Sequence, residues 1–160
     1  MRRLLIAVLF VSSAAIAYEI LLMRMLSIVQ WHHFAWMVIS LALLGYGASG
    51  TAIALARNRL ESRFENAFAV SALLFSISMV ACWVLAQNVP FKALEVIWDV
   101  RQLLWLGVLY LLFMVPFFFA ALCIGMAFTF RGELAGRIYF LDLLGAGAGA
   151  VLVILLLFVI

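Results

Sequence analysis

Long apolar runs separated by short polar stretches dominate the hydropathy pattern of this chain. Each of five runs has about the 20 residues that a helix needs to cross a hydrocarbon core of roughly 30 Å. We place these predicted spans at residues 4–23, 34–56, 67–85, 103–130 and 138–160. The pattern therefore predicts an all-α, polytopic membrane helix bundle that forms a single domain over residues 1–160.

Two local features modify this picture. In residues 91–102 the polar side chains Lys92, Glu95, Asp99 and Gln102 recur at helical spacing, opposite an apolar face. This pattern is typical of a short amphipathic helix that lies in the membrane interface. The fourth span contains Pro116, which has no N–H to donate, so we expect a kink in the helix there.

Composition supports a membrane environment. Hydrophobic residues make up 70% of the chain and charged residues only 11%, whereas a soluble domain is about half apolar and a quarter charged. We therefore expect the lipid bilayer, and not water, to cover most of the surface. The net charge of +3 comes from basic residues scattered between apolar runs. That distribution does not favour nucleic acid as a partner.

The positions of the cations predict an orientation. If the N-terminus is cytoplasmic, seven arginines lie inside and three cations lie outside, as the positive-inside rule requires. The inner group is Arg2, Arg3, Arg57, Arg59, Arg63, Arg131 and Arg137, and the outer group is Arg24, Lys92 and Arg101. This predicts a multi-pass protein of a bacterial-type plasma (inner) membrane with its C-terminus outside.

Both ends of the sequence allow a second interpretation. Arg2 and Arg3, a short apolar stretch and then Ala15-Ile16-Ala17 also fit a cleaved secretory signal covering residues 1–17,. We favour a retained helix because the apolar pattern continues through Leu26. At the other end, Gly149 to Ile160 contains no polar anchor, which favours truncation of a longer polypeptide or further downstream helices.

Ionisable residues inside the spans are the first candidates for function, because burying a charge in lipid is expensive. Glu19 lies near the predicted outer end of its helix and Asp142 near the inner end of another. Their different depths exclude a shared metal or a paired-carboxylate mechanism. We expect Glu19 to pair with Arg24 or to accept a hydrogen bond from His33 or Trp36, and favour a tether between the first two helices over a proton or ligand site.

Asp142 has the depth expected for Thr51 and Ser49, whose hydroxyls would satisfy its carboxylate. Just beyond it, Gly145 and Gly149 form a ridge of small residues. Small residues let two helix backbones approach closely in a membrane, and Gly47 and Gly50 make the second span slim at similar depth. The sequence therefore predicts that these four glycines pack helices together, with an ion or substrate pathway through Asp142 as the alternative.

Other chemistry is weakly indicated. Residues 145–150 satisfy a dinucleotide-binding pattern, but the surrounding β-α-β unit that such a site needs is missing. His32 and His33 beside Trp31 raise haem or quinone binding, yet neighbours on a helix point about 100° apart and cannot ligate one metal together. We favour interfacial hydrogen bonding there and predict no cofactor. No nucleophile with its base, zinc motif or phosphate loop is present in the sequence.

Two stretches carry a family resemblance. Residues 18–27, running on into residues 41–50, and residues 136–149 resemble the N-terminal transmembrane region of spermidine synthase-like, aminopropyltransferase-fused integral membrane proteins. The resemblance implies a polytopic region joined to a soluble aminopropyltransferase-like domain that carries the active site. Glu19, Arg24 and Asp142 match the membrane-region pattern, for which the family implies no established catalytic role.

Three functions follow as hypotheses. The first is a non-catalytic membrane subunit or anchor that packs with partner membrane helices from other subunits. The second is a small transporter or permease-like module that uses Asp142 and Glu19. The third is a fragment of a membrane-bound aminopropyltransferase-like enzyme whose catalytic domain is absent, so that we do not expect catalysis by this chain alone.

Overall fold

A computed structural model describes residues 2–29, 35–92, 95 and 98–159. These residues form helices joined by short connections, and no strand occurs among them. The helices are α1 (Arg2–Val29), α2 (Ala35–Leu55), α3 (Arg57–Ser62), α4 (Phe64–Ala86), α5 (Val100–Phe130) and α6 (Ala135–Val159), with a 3₁₀ turn at Gly132–Leu134 before α6.

Five of the helices, α1, α2, α4, α5 and α6, are long and apolar enough to cross a membrane. The all-helical fold and the number of candidate spans are as the hydropathy pattern predicted. The outward surface is as apolar as a lipid contact requires: the side chain of Phe10 is 66% exposed and that of Leu55 is 85% exposed. In water, such side chains would each forfeit roughly 1.5–3 kcal/mol of burial.

The prediction of one continuous interfacial helix over residues 91–102 is wrong. Asp99 has an extended backbone, with φ −124° and ψ 111°, and its carboxylate accepts a hydrogen bond of 2.9 Å from the N–H of Arg101. This N-cap satisfies an otherwise unpaired N–H and starts α5 at Val100. The segment with amphipathic spacing therefore contains the start of a new helix. Residues 93, 94, 96 and 97 lie outside the described residues.

The Gln102 side chain forms hydrogen bonds to the segment that connects α4 and α5. Its buried side-chain oxygen accepts from the Lys92 backbone N–H at 3.0 Å, and its amide nitrogen donates to the Glu95 carboxylate at 3.5 Å. Lys92 and Glu95 also form an exposed ion pair of 2.9 Å. The hydrogen bond and the charge of Glu95 raise the pKa of Lys92, although an exposed pair of this kind adds little stability.

Helices α1 and α6 pack side by side in parallel. The backbone of Leu9 lies against Gly145 and that of Ser13 lies against Gly149, so both chains advance by one turn in the same direction,. Of the described elements, α6 is the one that α1 contacts most extensively.

Helices α2 and α5 form a second parallel pair. Gly45 lies against the backbone of Phe117, and Ile53 contacts Gly125. From the first contact to the second, both helices advance toward their C-terminal ends, so they run parallel. An added Cβ on Gly45 would lie 2.9 Å from the Cβ of Phe117. The close approach follows Pro116, which is buried within a helix that continues through it; the kink expected there stays a prediction.

Helix α4 runs antiparallel to α5. Near one end of the bundle the rings of Phe64 and Phe130 lie 6.1 Å apart, and near the other those of Trp83 and Phe113 lie 6.4 Å apart. Between them, the Cys123 thiol donates to the Phe68 carbonyl at 3.8 Å. The second and third sets of contacts, those of α5 with α2 and with α4, make α2, α4 and α5 alternate in direction, as consecutive membrane spans do.

Candidate functional site

A cavity of about 420 Å³ lies between α1, α2, α5 and α6. Its lining extends toward one end of the bundle, because Ile53 lies near the end of α2 at Leu55 and Thr129 lies beside the end of α5 at Phe130. The volume is in the range of small-molecule sites. Most of the wall is apolar, as expected for the interior of a membrane bundle.

Polar side chains from all four helices converge on this cavity: Ser12, Tyr46, Ser49, Thr129 and Asp142. Ser12 and Ser49 are almost fully buried, with exposures of 2% and 3%. The described residues that line the cavity include no Lys, Arg or His. The only ionisable carboxyl group in the wall is therefore without a neighbouring cation among those residues.

Asp142 is held by α1. The Ser12 hydroxyl donates a hydrogen bond to the Asp142 carboxylate, and the aspartate itself is partly buried. The predicted partners on α2 were wrong. Ser49 donates to the Tyr46 carbonyl at 2.8 Å and Thr51 to the Gly47 carbonyl at 3.1 Å, which is the usual back-bonding of hydroxyls within a helix.

The glycine ridge of α6 explains this partnership. Cβ atoms at Gly145 and Gly149 would run into the carbonyl groups of Leu9 and Ser13; a Cβ at Gly149 would lie 2.9 Å from the Ser13 Cα. The ridge thus seats α6 on α1 and turns Asp142 toward Ser12. At Gly147, one position off this face, an added Cβ would meet no described atom within 4 Å.

Packing through Gly47 and Gly50 is not seen. An added Cβ at either residue would meet no described atom within 4 Å, because Gly47 is exposed and Gly50 borders the open space of the cavity. The glycine of α2 that does pack is Gly45, which the sequence reasoning missed. Its spacing from the buried Leu41 and Ser49, four residues to either side, was the available signal,.

Glu19 lies on α1, seven residues and about 10 Å beyond Ser12, and is partly buried. Among the described residues it makes no ion pair within 4.0 Å with Arg24, which is exposed. Trp36 makes no hydrogen bond to Glu19 among the described residues. His33 lies outside the described residues, as does His32. The Tyr46 phenol lies within electrostatic range of both Glu19 and Asp142.

One further polar atom is notable. The Tyr18 hydroxyl is buried without a hydrogen-bond partner within the described part of the chain, its ring 5.6 Å from that of Phe117. It is within electrostatic range of the buried Cys82 thiol. The described residues contain no group of three His, Cys, Asp or Glu side chains that could hold a metal ion.

Comparisons of the chain with protein-family models, curated proteins and solved structures find no match. The resemblance to spermidine synthase-like membrane regions therefore stays a prediction. The arrangement of the side chains indicates one candidate site. At the cavity beside Asp142, convergent polar groups and space for a ligand coincide.

Proposed function

We propose that this chain is a multi-pass membrane module that binds a small cation in the cavity at Asp142, as in a permease-like protein. The observation that supports it is a carboxylate facing an internal cavity whose described walls carry no cationic side chain. A carboxylate in a low-dielectric site requires a compensating charge or several hydrogen bonds. Ser12 supplies one hydrogen bond, whereas two carboxylate oxygens accept about four.

The remaining polar groups favour a ligand that also forms hydrogen bonds. Tyr46 and Thr129 both line the cavity and are exposed, and no side-chain hydrogen bond involves either hydroxyl among the described residues. A protonated amine with a polar substituent would place its charge at Asp142 and its substituent at these hydroxyls.

The test is direct binding to the purified protein in nanodiscs, with methylammonium, ethanolammonium and sodium as probes in isothermal titration. We expect saturable binding of an ammonium probe and at least a tenfold loss of affinity in Asp142→Asn, since charge-assisted hydrogen bonds contribute about 1.5–3 kcal/mol. Glu19→Gln is the matched control and should bind as the unaltered protein does. Equal binding by Asp142→Asn, or no binding of any probe, would contradict the proposal.

A second candidate function is an anchor that packs with helices of partner membrane subunits. Helix α6 buries a single stripe, Ile138, Gly145, Gly149 and Val153. Its opposite face carries an apolar groove around Gly147, Ala148 and Val151, and small residues favour close helix association in lipid. If this proposal is right, Gly147→Leu will release a co-purifying membrane subunit while leaving the chain folded; unchanged co-purification would contradict it.

The inner-membrane location and the cytoplasmic N-terminus are also proposals, supported by the distribution of the cations. Reporter fusions after Asn58 and after Asn88 test the orientation, because Asn58 on α3 precedes α4 along the chain and Asn88 follows it. An anchor joined to an aminopropyltransferase-like domain, as the resemblance implies, is tested by the intact mass of the native protein.

A further inference from the structure

A second cleft, separate from the cavity at Asp142, lies at the end of the bundle where α1, α4 and α6 begin and α5 ends. Its volume is about 510 Å³. We name it the headgroup cleft and define it by four charged residues, Arg3, Glu65, Arg131 and Glu133, above an apolar floor that includes Ala7 and Phe68. Helix ends at one level mark the boundary between water and hydrocarbon, so the cleft combines both environments in one site.

This cleft contains two positive and two negative side chains, and they form no ion pairs with one another among the described residues. All four side chains are exposed, and none takes part in an ion pair within 4.0 Å among the described residues. Two guanidinium groups and two carboxylates that share a cleft without pairing can each receive an opposite charge from a ligand. A ligand that carries both signs therefore fits this cleft better than a purely anionic one.

One of the cations is held in place. The Arg131 guanidinium lies 5.1 Å from the centre of the Phe64 ring, in the geometry of a cation–π contact,. The Phe64 ring in turn contacts those of Phe68 and Phe130, with ring centres 6.1 Å away in each case. Ordering Arg131 before binding lowers the entropy cost of docking a phosphate on it.

From this arrangement we infer that the headgroup cleft binds a zwitterionic phospholipid with a primary ammonium, of the phosphatidylethanolamine class. Arg3 and Arg131 receive the phosphate, which guanidinium groups recognise through paired hydrogen bonds. Glu65 and Glu133 receive the ammonium, and an acyl chain follows the apolar floor. The inference goes beyond the proposed cation binding and does not depend on it.

The choice of headgroup follows from the carboxylates. A phosphatidylcholine headgroup carries a quaternary ammonium with no N–H to donate, so it loses the hydrogen bonds to Glu65 and Glu133. A phosphatidylglycerol headgroup brings only negative charge and is repelled by the same two side chains. The expected order of affinity is therefore ethanolamine first, with choline and glycerol lipids weaker.

The test is native mass spectrometry of the full chain with each of the three lipids in turn. We expect phosphatidylethanolamine to bind at least fivefold more tightly than the other two. Glu65→Gln combined with Glu133→Gln should reduce its advantage over phosphatidylcholine to within twofold and strengthen phosphatidylglycerol. Arg3→Gln combined with Arg131→Gln should weaken every phospholipid at least tenfold.

Matched controls lie on α3, where Arg59 and Glu61 are exposed and line no part of the cleft. Arg59→Gln and Glu61→Gln should leave the lipid preferences unchanged. All altered side chains are on the surface, so loss of helicity on circular dichroism is not expected. Tighter binding of phosphatidylglycerol by the unaltered protein, or an ethanolamine preference that survives the double glutamate change, would overturn the inference.

Soluble phosphoethanolamine distinguishes a lipid from a free headgroup. If a lipid is the ligand, millimolar phosphoethanolamine will not displace phosphatidylethanolamine, because the acyl chain contributes about 0.8 kcal/mol for each buried methylene. Displacement at concentrations equal to that of the lipid would show that the cleft takes a water-soluble zwitterion, and would overturn the lipid assignment.

Discussion

A Cβ on Gly149 of α6 would overlap the carbonyl group of Ser13 on α1. The two helices can approach this closely because Gly149 has no side chain. The same relationship recurs one turn earlier between Gly145 and Leu9. Two such contacts fix both the distance and the rotation of α6 on α1. They therefore also fix the direction in which Asp142 points.

The first prediction concerns this helix pair. Gly145→Leu should destabilise the bundle by about 1–3 kcal/mol, because the new side chain has to displace the Leu9 backbone. The free energy of unfolding in mixed detergent micelles measures the effect. Gly147→Leu is the control, since its added side chain meets open space, and it should change stability by less than about 0.5 kcal/mol. Equal effects of the two substitutions would argue against the parallel α1–α6 contact.

The second prediction concerns the polar link within that pair. Ser12→Ala and Asp142→Ala should each lower the free energy of unfolding by about 0.6–1.7 kcal/mol, the range of interhelical hydrogen bonds in membranes. Combined, they should cost less than the sum of the two, since both remove one interaction. Ser76→Ala, an exposed hydroxyl bonded within its own helix, serves as the comparison. Strict additivity would mean that the Ser12–Asp142 hydrogen bond is not formed.

The third prediction concerns the approach of α2 to α5. Gly45→Val should cost about 1–3 kcal/mol of stability, because its Cβ alone would lie 2.8 Å from the backbone nitrogen of Phe118,. Gly47→Val points outward and should be tolerated. Thermal unfolding of both variants in the same detergent separates them, and a lower melting temperature for Gly47→Val than for Gly45→Val would reverse our assignment of the packed face.

The fourth prediction concerns the start of α5. Asp99→Ala removes the side-chain acceptor for the Arg101 N–H and should cost about 1 kcal/mol. Asp99→Ser keeps an oxygen at this position and should cost only a few tenths of that. Chemical unfolding of the two variants provides the measurement. If alanine and serine behave alike, the carboxylate does not cap the helix.

Hydropathy predicted the helices well because a membrane span must be long and apolar whatever its neighbours are. It predicted the neighbours of Asp142 poorly for the same reason. Depth along the membrane normal follows from counting residues, and Ser49 has a suitable depth. Ser12 does as well, and nothing in a single sequence says which helix lies beside which. The partner was decided by the rotation that Gly145 and Gly149 impose.

The segment around Asp99 shows a different difficulty. Residues 91–102 have an amphipathic pattern that fits one helix, and Asp99 also fits the polar face of that helix. Aspartate is an equally good N-cap, and the apolar run that follows requires a helix start nearby. The two interpretations use the same residues, and the choice depends on tertiary contacts such as the Gln102 side chain, which holds Lys92.

The pairing of α1 with α6 has a consequence for biosynthesis. Ser12 meets Asp142 only after a further 130 residues have been made, which takes on the order of 10 s at roughly 5–20 residues per second. During that interval the side of α1 that α6 will cover is open to lipid or to the insertion machinery. A nascent chain that ends before α6 therefore leaves this side of α1, with its Ser12 hydroxyl, uncovered.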